Sequence, residues 1–203
     1  MNDSLLILGF TTTPLELISF VLSIATVLLN IRRLHWAWLF AIVSSAMYGI
    51  VFFDARLYGD AGLQGVFIAA SLWGWTQWLK GGRSSVDAGA PLVVTRLDRA
   101  GWTLALAGWA LGYLLLWAFL GHATDTDVPG TDAFLTAGSL LGTLLTARKK
   151  VENWHVWIVV DVIYVGLYVH KHLYLTAVLY ALFVVMAAIG LRTWNRAARE
   201  GVQ

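Results

Sequence analysis

One acidic residue, Asp161, interrupts a long apolar stretch of the sequence between Ile158 and Ile163. A carboxylate at the centre of a membrane-spanning helix costs about 2.5–3.5 kcal/mol on insertion scales, so it normally faces a cavity or a polar partner. Asp161 is therefore a candidate contact for a polar solute. The alternative is that it bonds Ser or Tyr hydroxyls and only holds helices together.

Aromatic and polar side chains accompany Asp161 at helical spacing. Asn153, Trp157, Asp161 and Tyr164 follow the i, i+4, i+8, i+11 pattern of one helix face, and Trp154 lies on the flank of that face. Two other apolar segments add further candidate contacts, namely Gln64, Phe67 and Trp75, on a face of the first that Ser71 shares, and Thr176 and Tyr180 in the second.

Together these groups offer aromatic plates with carboxylate and amide groups, which suits a flat ring joined to a hydroxylated portion. A positive charge on the ring would add to the fit, because an aromatic face attracts a cation by about 0.5–2 kcal/mol. For any single aromatic residue at helical spacing, ordinary packing is the alternative.

Several kinds of chemistry lack their residues in this sequence. It contains no cysteine, which leaves no disulfide framework and no thiolate metal site. It has no GxxxxGK[ST] loop for an ATP-driven motor and no HExxH motif, and its histidines have no metal-ligand spacing. We therefore predict no catalytic residues, no metal site and no cofactor.

The composition is that of a membrane protein. The chain has 203 residues, of which 59% are hydrophobic and only 13% charged, whereas a soluble domain has about 25% charged residues. The net charge of +2 is too small to argue for nucleic acid as a partner. We therefore expect membrane lipid to surround the protein.

Seven apolar stretches meet or approach the roughly 20 residues that a helix needs to cross a bilayer. Most are apolar all round, which disfavours a soluble helical bundle. They cover residues 15–30, 36–53, 61–79, 102–120, 133–147, 154–169 and 173–191.

The basic residues orient these spans. Every Lys and Arg except Arg56 and Lys171 falls on one side of a seven-span arrangement. By the positive-inside rule that side is cytoplasmic. We predict a multi-pass protein of a bacterial-type inner (plasma) membrane, with its N-terminus outside and its C-terminus in the cytoplasm.

The two ends of the chain match each other at an offset of 116 positions, without gaps. Three crossings per repeat and one linking helix give the second repeat the orientation of the first, a 3+1+3 plan with parallel repeats that is common in transporters. The predicted units are residues 1–82, 83–122 and 123–203. Ser45 aligns with Asp161, and the most specific matches are Arg32 with Arg148, Trp38 with Trp154, Tyr48 with Tyr164, and Trp78 with Trp194.

Residues 146–157, TARKKVENWHVW, followed by Asp161 and by LYLTAVLY at 173–180, resemble the PnuC family of nicotinamide riboside transporters. The block from Gln64 to Trp78 resembles the matching part of the third span. The resemblance implies a fold related to the sugar carriers called SWEETs, usually as a homotrimer. It also implies facilitated diffusion of a nucleoside that a separate cytoplasmic kinase traps, and it makes Gln64, Asn153, Trp157 and Asp161 solute contacts.

The leading hypothesis is a carrier for nicotinamide riboside, and not an enzyme. Family members also carry thiamine or other nucleosides, so a thiamine carrier is an alternative. A membrane-embedded transferase is a rival from another class, but it would need a second catalytic polar group near Asp161. A purely structural subunit would have no use for a carboxylate within a span.

Overall fold

The computed structural model describes residues 5–7, 10–12, 14–54, 58–82, 93–123, 128–170 and 174–200. Within these residues the chain forms one short hairpin and seven helices, so each of the seven predicted segments is confirmed as a helix. In chain order they are β1 (Leu5–Ile7), β2 (Phe10–Thr12), α1 (Pro14–Ile31), α2 (Ala37–Asp54), α3 (Tyr58–Gly82), α4 (Arg99–Ala123), α5 (Pro129–Ala147), α6 (Asn153–His170) and α7 (Tyr174–Glu200).

The apolar pattern of the sequence did not predict the hairpin or the exact ends of the helices. Strands β1 and β2 pair antiparallel, with Leu5 opposite Thr12, in a stretch too short to stand out by hydrophobicity. Helix α7 continues to Glu200, past the apolar part, because Arg and Ala are strong helix formers. Helix α5 starts at Pro129, where proline fits the first turn.

Helices that follow each other in sequence pack together within two groups, α1–α3 and α4–α7. Two further contacts join the groups, one between α1 and α7 and the other between α3 and α5. Helix α4 packs mainly on α5. The bundle is therefore closed by its first and last helices.

Much of the apolar surface of the bundle remains uncovered. Leu104, Leu111 and Leu115 on α4 are each more than half exposed. Among the described residues, the segments Arg99–Ala123 and Thr176–Glu200 are long and apolar enough to cross a membrane, and Phe20–Ile31 and Ala37–Ile50 are shorter apolar stretches. Such a surface is unfavourable in water by about 25 cal/mol per Å², and it suits contact with lipid.

A tryptophan packs on a glycine in the same way at two places 116 positions apart. Trp38 of α2 lies on Gly74 of α3, and Trp154 of α6 lies on Gly190 of α7. The rings of Trp38 and Trp78 meet edge to face at 5.6 Å, and those of Trp154 and Trp194 do so at 5.5 Å. Each pair fills the space that the glycine leaves between two helices.

The ends of α1 and α5 are also built alike. The Leu34 amide donates to the Leu29 carbonyl at 2.9 Å, and the Lys150 amide donates to the Leu145 carbonyl at 2.9 Å. The residue before each of these amides is left-handed, with φ of 58° at Arg33 and 56° at Lys149. Both ends are Schellman turns, in which the amides beyond the helix satisfy its last carbonyls.

Two indole groups then link the two helix groups. The Nε1 atom of Trp78 in α3 donates to the Thr146 carbonyl at the end of α5, at 3.0 Å. The Nε1 atom of Trp194 in α7 donates to the Asn30 carbonyl at the end of α1, at 3.1 Å. We call these two bonds the indole links. Trp78 and Trp194 are almost fully buried, and their rings lie 6.2 Å apart.

The glycines under Trp38 and Trp154 provide a stability test. A Cβ atom at Gly74 would stand 2.5 Å from the Trp38 ring, and one at Gly190 would stand 2.6 Å from the Trp154 ring. We expect Gly74→Ala and Gly190→Ala to lower the melting temperature of the detergent-solubilised protein, because a rigid indole must move.

The matched control is Gly108→Ala on α4, where an added Cβ meets nothing within 4 Å. Alanine is the better helix former by about 1 kcal/mol, so this variant should melt at the wild-type temperature or slightly above it. A melting temperature for Gly190→Ala equal to that of the control would contradict the packing described here.

Candidate functional site

Asp161 lies about halfway along α6 and is only 5% exposed. Among the described residues, no Lys, Arg or His side chain acts on its carboxylate. Its electrostatic neighbours are the hydroxyls of Tyr164, one turn further along α6, and of Tyr180 on α7. The carboxylate is thus removed from water without a cation from the described part of the chain.

Three tyrosines form an aromatic cluster beside Asp161. The ring centroids of Tyr164 and Tyr180 are 4.6 Å apart, and those of Tyr168 and Tyr180 are 5.1 Å apart. Tyr164 and Tyr168 stack at 5.7 Å with an angle of 15° between their planes. We call these three residues the tyrosine cluster. Phe183 closes one side of the cluster, with its ring 5.5 Å from that of Tyr180.

The hydroxyls of the cluster are engaged in hydrogen bonds. Tyr164 and Ser139 of α5 bond through their hydroxyls, as do Tyr168 and Tyr180. Hydroxyl groups of this kind can exchange partners with a hydroxylated solute, because each can both donate and accept.

Asn153 starts α6 and is fully buried. Its Nδ2 atom donates to the Lys150 carbonyl at 2.6 Å, whereas its Oδ1 atom is buried without a hydrogen-bond partner. Leaving a buried acceptor unsatisfied costs about 1–3 kcal/mol. A donor on a bound solute would remove that cost.

Trp157 lies one turn after Asn153 and is half-buried. Its Nε1 atom donates to Oγ1 of Thr146 at 3.4 Å, and its ring passes so close to Gly142 of α5 that a Cβ atom there would stand 2.8 Å from it. Trp157 therefore combines a packing contact with a partly open ring.

Two of the predicted aromatic contacts have clear packing partners. Trp154 is 3% exposed and lies in the hydrophobic core with Trp194, and its Nε1 atom is buried without a partner. Trp75 donates from Nε1 to Nδ1 of His35 at 3.2 Å, next to the turn between α1 and α2. These contacts match the packing alternative that the sequence left open for each aromatic residue.

The remaining predicted residues are half-buried. Gln64 faces α2, since its Cβ atom is 3.5 Å from where a Cβ of Gly49 would be. Phe67 lies one turn further on α3, and Thr176 lies one turn before Tyr180 on α7. Among the ten predicted contacts, the interactions described here bring together Asp161, Tyr164 and Tyr180.

Three residues near the site escaped the sequence analysis. Tyr168 follows Tyr164 by four positions, so extending the same helix face would have found it. Tyr48 of α2 acts electrostatically on Tyr168 and Tyr180. Asp132, in the first turn of α5, interacts electrostatically with the hydroxyls of Tyr164 and Tyr168. The last two come from other helices, and only the fold brings them here.

A short segment before α4, residues 93–98, fixes the start of α6, and we call it the strap. The Thr95 amide donates to the Lys149 carbonyl and the Val151 amide donates to the Thr95 carbonyl, both at 3.0 Å. Oε2 of the buried Glu152 accepts the Leu97 amide at 2.9 Å. Burial in this turn also lowers the pKa of Lys149.

The strap also reaches α7. The Arg96 guanidinium donates to Oδ1 of Asn195 at 2.6 Å, and Val94 is buried in the core that contains Trp78 and Trp194. The strap therefore joins the α5–α6 turn to α7 and holds Asn153 and Trp157 in place.

Comparisons with known proteins agree on one group. The family model described as nicotinamide mononucleotide transporter matches residues 13–196. The riboflavin/roseoflavin transporter RibM of Streptomyces davaonensis is 28% identical over 183 residues, which cover 88% of this chain and 83% of that protein. The nicotinamide riboside transporter PnuC of Escherichia coli is 26% identical over 185 residues, which cover 80% and 77%.

The fold is shared with a solved structure. The crystal structure of the vitamin B3 transporter PnuC superimposes with a TM-score of 0.75 at 20% identity, covering 92% of this chain and 82% of that one. At this level of identity the match concerns the arrangement of the helices.

Proposed function

The chain belongs to the PnuC family of membrane transporters, and from this premise we propose that it carries nicotinamide riboside across the inner membrane by facilitated diffusion. One observation carries the choice of solute, namely the buried Asp161 carboxylate with no basic neighbour among the described residues. The nicotinamide ring of this nucleoside is a flat pyridinium cation, and its ribose bears hydroxyls.

A cationic solute would complete the electrostatics of the site. A buried carboxylate is costly unless a charge or hydrogen bonds balance it, and a pyridinium ring brings that charge. The tyrosine faces add cation–π attraction, while Asn153 Oδ1 offers an unused acceptor for a ribose hydroxyl. Gln64, Phe67 and Thr176 are proposed to line the same path from α3 and α7.

A flavin is the second candidate, because the relative from Streptomyces davaonensis is described as a riboflavin/roseoflavin transporter. The isoalloxazine ring of riboflavin is flat and its ribityl chain is hydroxylated, so it matches the aromatic and polar groups. It is neutral, however, and leaves Asp161 without a counter-charge. Thiamine, which is cationic, matches Asp161 as nicotinamide riboside does.

We further propose that the chain follows a 3+1+3 plan, with units at residues 1–82, 83–122 and 123–203, as in SWEET carriers. The recurrence at 116 positions of the Trp–Gly contacts, the Schellman turns and the indole links supports it. Rocking of one repeat against the other would then expose the site to each side in turn.

A carrier fits the site better than a membrane-embedded transferase does. The neighbours of Asp161 within the described part of the chain are tyrosine hydroxyls, which suit solute binding and give no acid–base pair. The homotrimer and the trapping kinase, which only the family resemblance implies, stay predictions.

Substitutions of Asp161 test the proposed role of its charge. We expect Asp161→Ala to lower affinity for nicotinamide riboside about tenfold to hundredfold, since a charge-assisted contact contributes about 1.5–3 kcal/mol. Asp161→Asn should lose nearly as much, because the amide has no charge. The measurement is a binding titration with a melting curve for each variant.

The repeat-related Ser45→Ala is the matched control and should keep wild-type affinity. Unchanged affinity with a lowered melting point for Asp161→Ala would assign the carboxylate to helix packing. Wild-type protein that binds riboflavin but neither nicotinamide riboside nor thiamine would overturn the proposed solute.

The energetics of transport provide a second test. The sequence holds no nucleotide-binding loop, so we expect purified protein in liposomes to equilibrate the solute in both directions without ATP or an ion gradient. Uphill accumulation driven by protons or sodium would refute facilitated diffusion. Liposomes without protein provide the control for leakage.

The orientation in the membrane follows from the basic residues. Arg32, Arg148, Lys150 and Arg196 lie at or near the end of the bundle where α5 turns into α6, and we propose that this end is cytoplasmic. A reporter that is active only in the cytoplasm should work when fused after Gln203. A reporter that is active only outside should work before Met1, and the reverse pattern would contradict this orientation.

A further inference from the structure

The tyrosine cluster extends along α6 beyond the deep carboxylate. Asp161, Tyr164 and Tyr168 stand at i, i+3 and i+7 and therefore share one helix face. Tyr168 is the member furthest from the α5–α6 turn, so it lies between Asp161 and the opposite end of the bundle. Its ring is half-buried, and it stacks on Tyr164.

Two carboxyl groups interact electrostatically with these tyrosines. Asp161 is next to Tyr164 and Tyr180, and Asp132 of α5 acts on Tyr164 and Tyr168. Among the described residues, no basic side chain acts on any of the three hydroxyls. Electron-rich rings near two carboxyl groups attract a cation and give a neutral ring no such advantage.

A residue from the first helix group also interacts electrostatically with the cluster. Tyr48 on α2 acts on Tyr168 and Tyr180, although these rings belong to α6 and α7. Tyr168 and Tyr180 are thus within electrostatic range of a residue from the first helix group.

We propose that Tyr168 forms an outer subsite that selects flat cationic heteroaromatic solutes before they reach Asp161. This inference rests on the proposed transport function and extends it, because it assigns part of the selectivity to a residue outside the ten predicted contacts. The ring face of Tyr168 carries the selection, and its hydroxyl holds the ring against Tyr180.

The test compares a cation with its neutral counterpart. Nicotinamide riboside and its reduced dihydropyridine form share the ribose and the ring skeleton, and only the first is cationic. We expect Tyr168→Leu to lower the affinity and the uptake rate for the cation roughly fivefold to thirtyfold, the range of a desolvated cation–π contact. Values for the neutral form should change less than twofold, and Tyr168→Phe should keep most of the cation selectivity.

The matched control is Tyr113→Leu on α4, a half-buried tyrosine whose ring stacks on the exposed Trp117 and meets Phe134 of α5 edge to face. It should leave both solutes unaffected. Equal losses for the cation and the neutral form in Tyr168→Leu, with a lowered melting temperature, would assign Tyr168 to packing and overturn the inference. No change for either solute would also overturn it.

Failure of the proposed solute gives a different pattern. If wild-type protein binds thiamine instead of nicotinamide riboside, the proposed solute is wrong. The outer subsite is then judged by whether Tyr168→Leu weakens cationic thiamine while Tyr168→Phe does not. If wild-type protein binds riboflavin alone, both the proposed solute and the cation-selective subsite are overturned.

Discussion

The two indole links between the helix groups are the contacts on which the rest of the structure depends. Trp78 and Trp194 each donate to a carbonyl in the last turn of a helix from the other group. The last carbonyls of a helix need partners from outside it. Those of Asn30 and Thr146 already accept the Arg33 and Lys149 amides of the Schellman turns, and each indole adds a second hydrogen bond to the same oxygen. The links therefore fix how α3 meets α5 and how α7 meets α1, and these contacts close the bundle.

The same helix ends set the direction of α2 and α6. Each Schellman turn places a left-handed residue, Arg33 or Lys149, directly after the helix. The left-handed conformation costs a non-glycine residue of the order of 1–2 kcal/mol. The turn offsets this cost because it satisfies two carbonyls at once. The glycines at 74 and 190 then admit Trp38 and Trp154 between neighbouring helices, so the start of each following helix is held by packing.

The sequence predicted the frame of this protein better than its site. Apolar length located all seven helices, and self-comparison found the tryptophan pairs that recur in the packing. It could not tell Trp154, which is buried in the core with Trp194, from the half-buried Trp157 on the same helix, because helical spacing says nothing about the facing residue. It missed Tyr168 because the chosen face stopped at Tyr164. Trp75 has a partner, His35, that only the fold brings near.

The two halves share packing contacts at positions 116 apart, but they differ in the polar residues at such positions. Positions that pack are kept, as with Trp38 and Trp154, but Ser45 stands where the other half has Asp161, and Ala37 stands where it has Asn153. The hydrogen bonds described for the strap go to the second half: Glu152, which accepts the Leu97 amide, corresponds to Trp36. Packing between helices imposes the same demands on both halves, whereas the proposed solute, with a ring at one end and hydroxyls at the other, would not. The polar groups are therefore concentrated where α6 begins and passes the tyrosine cluster, on the half that the strap holds in place.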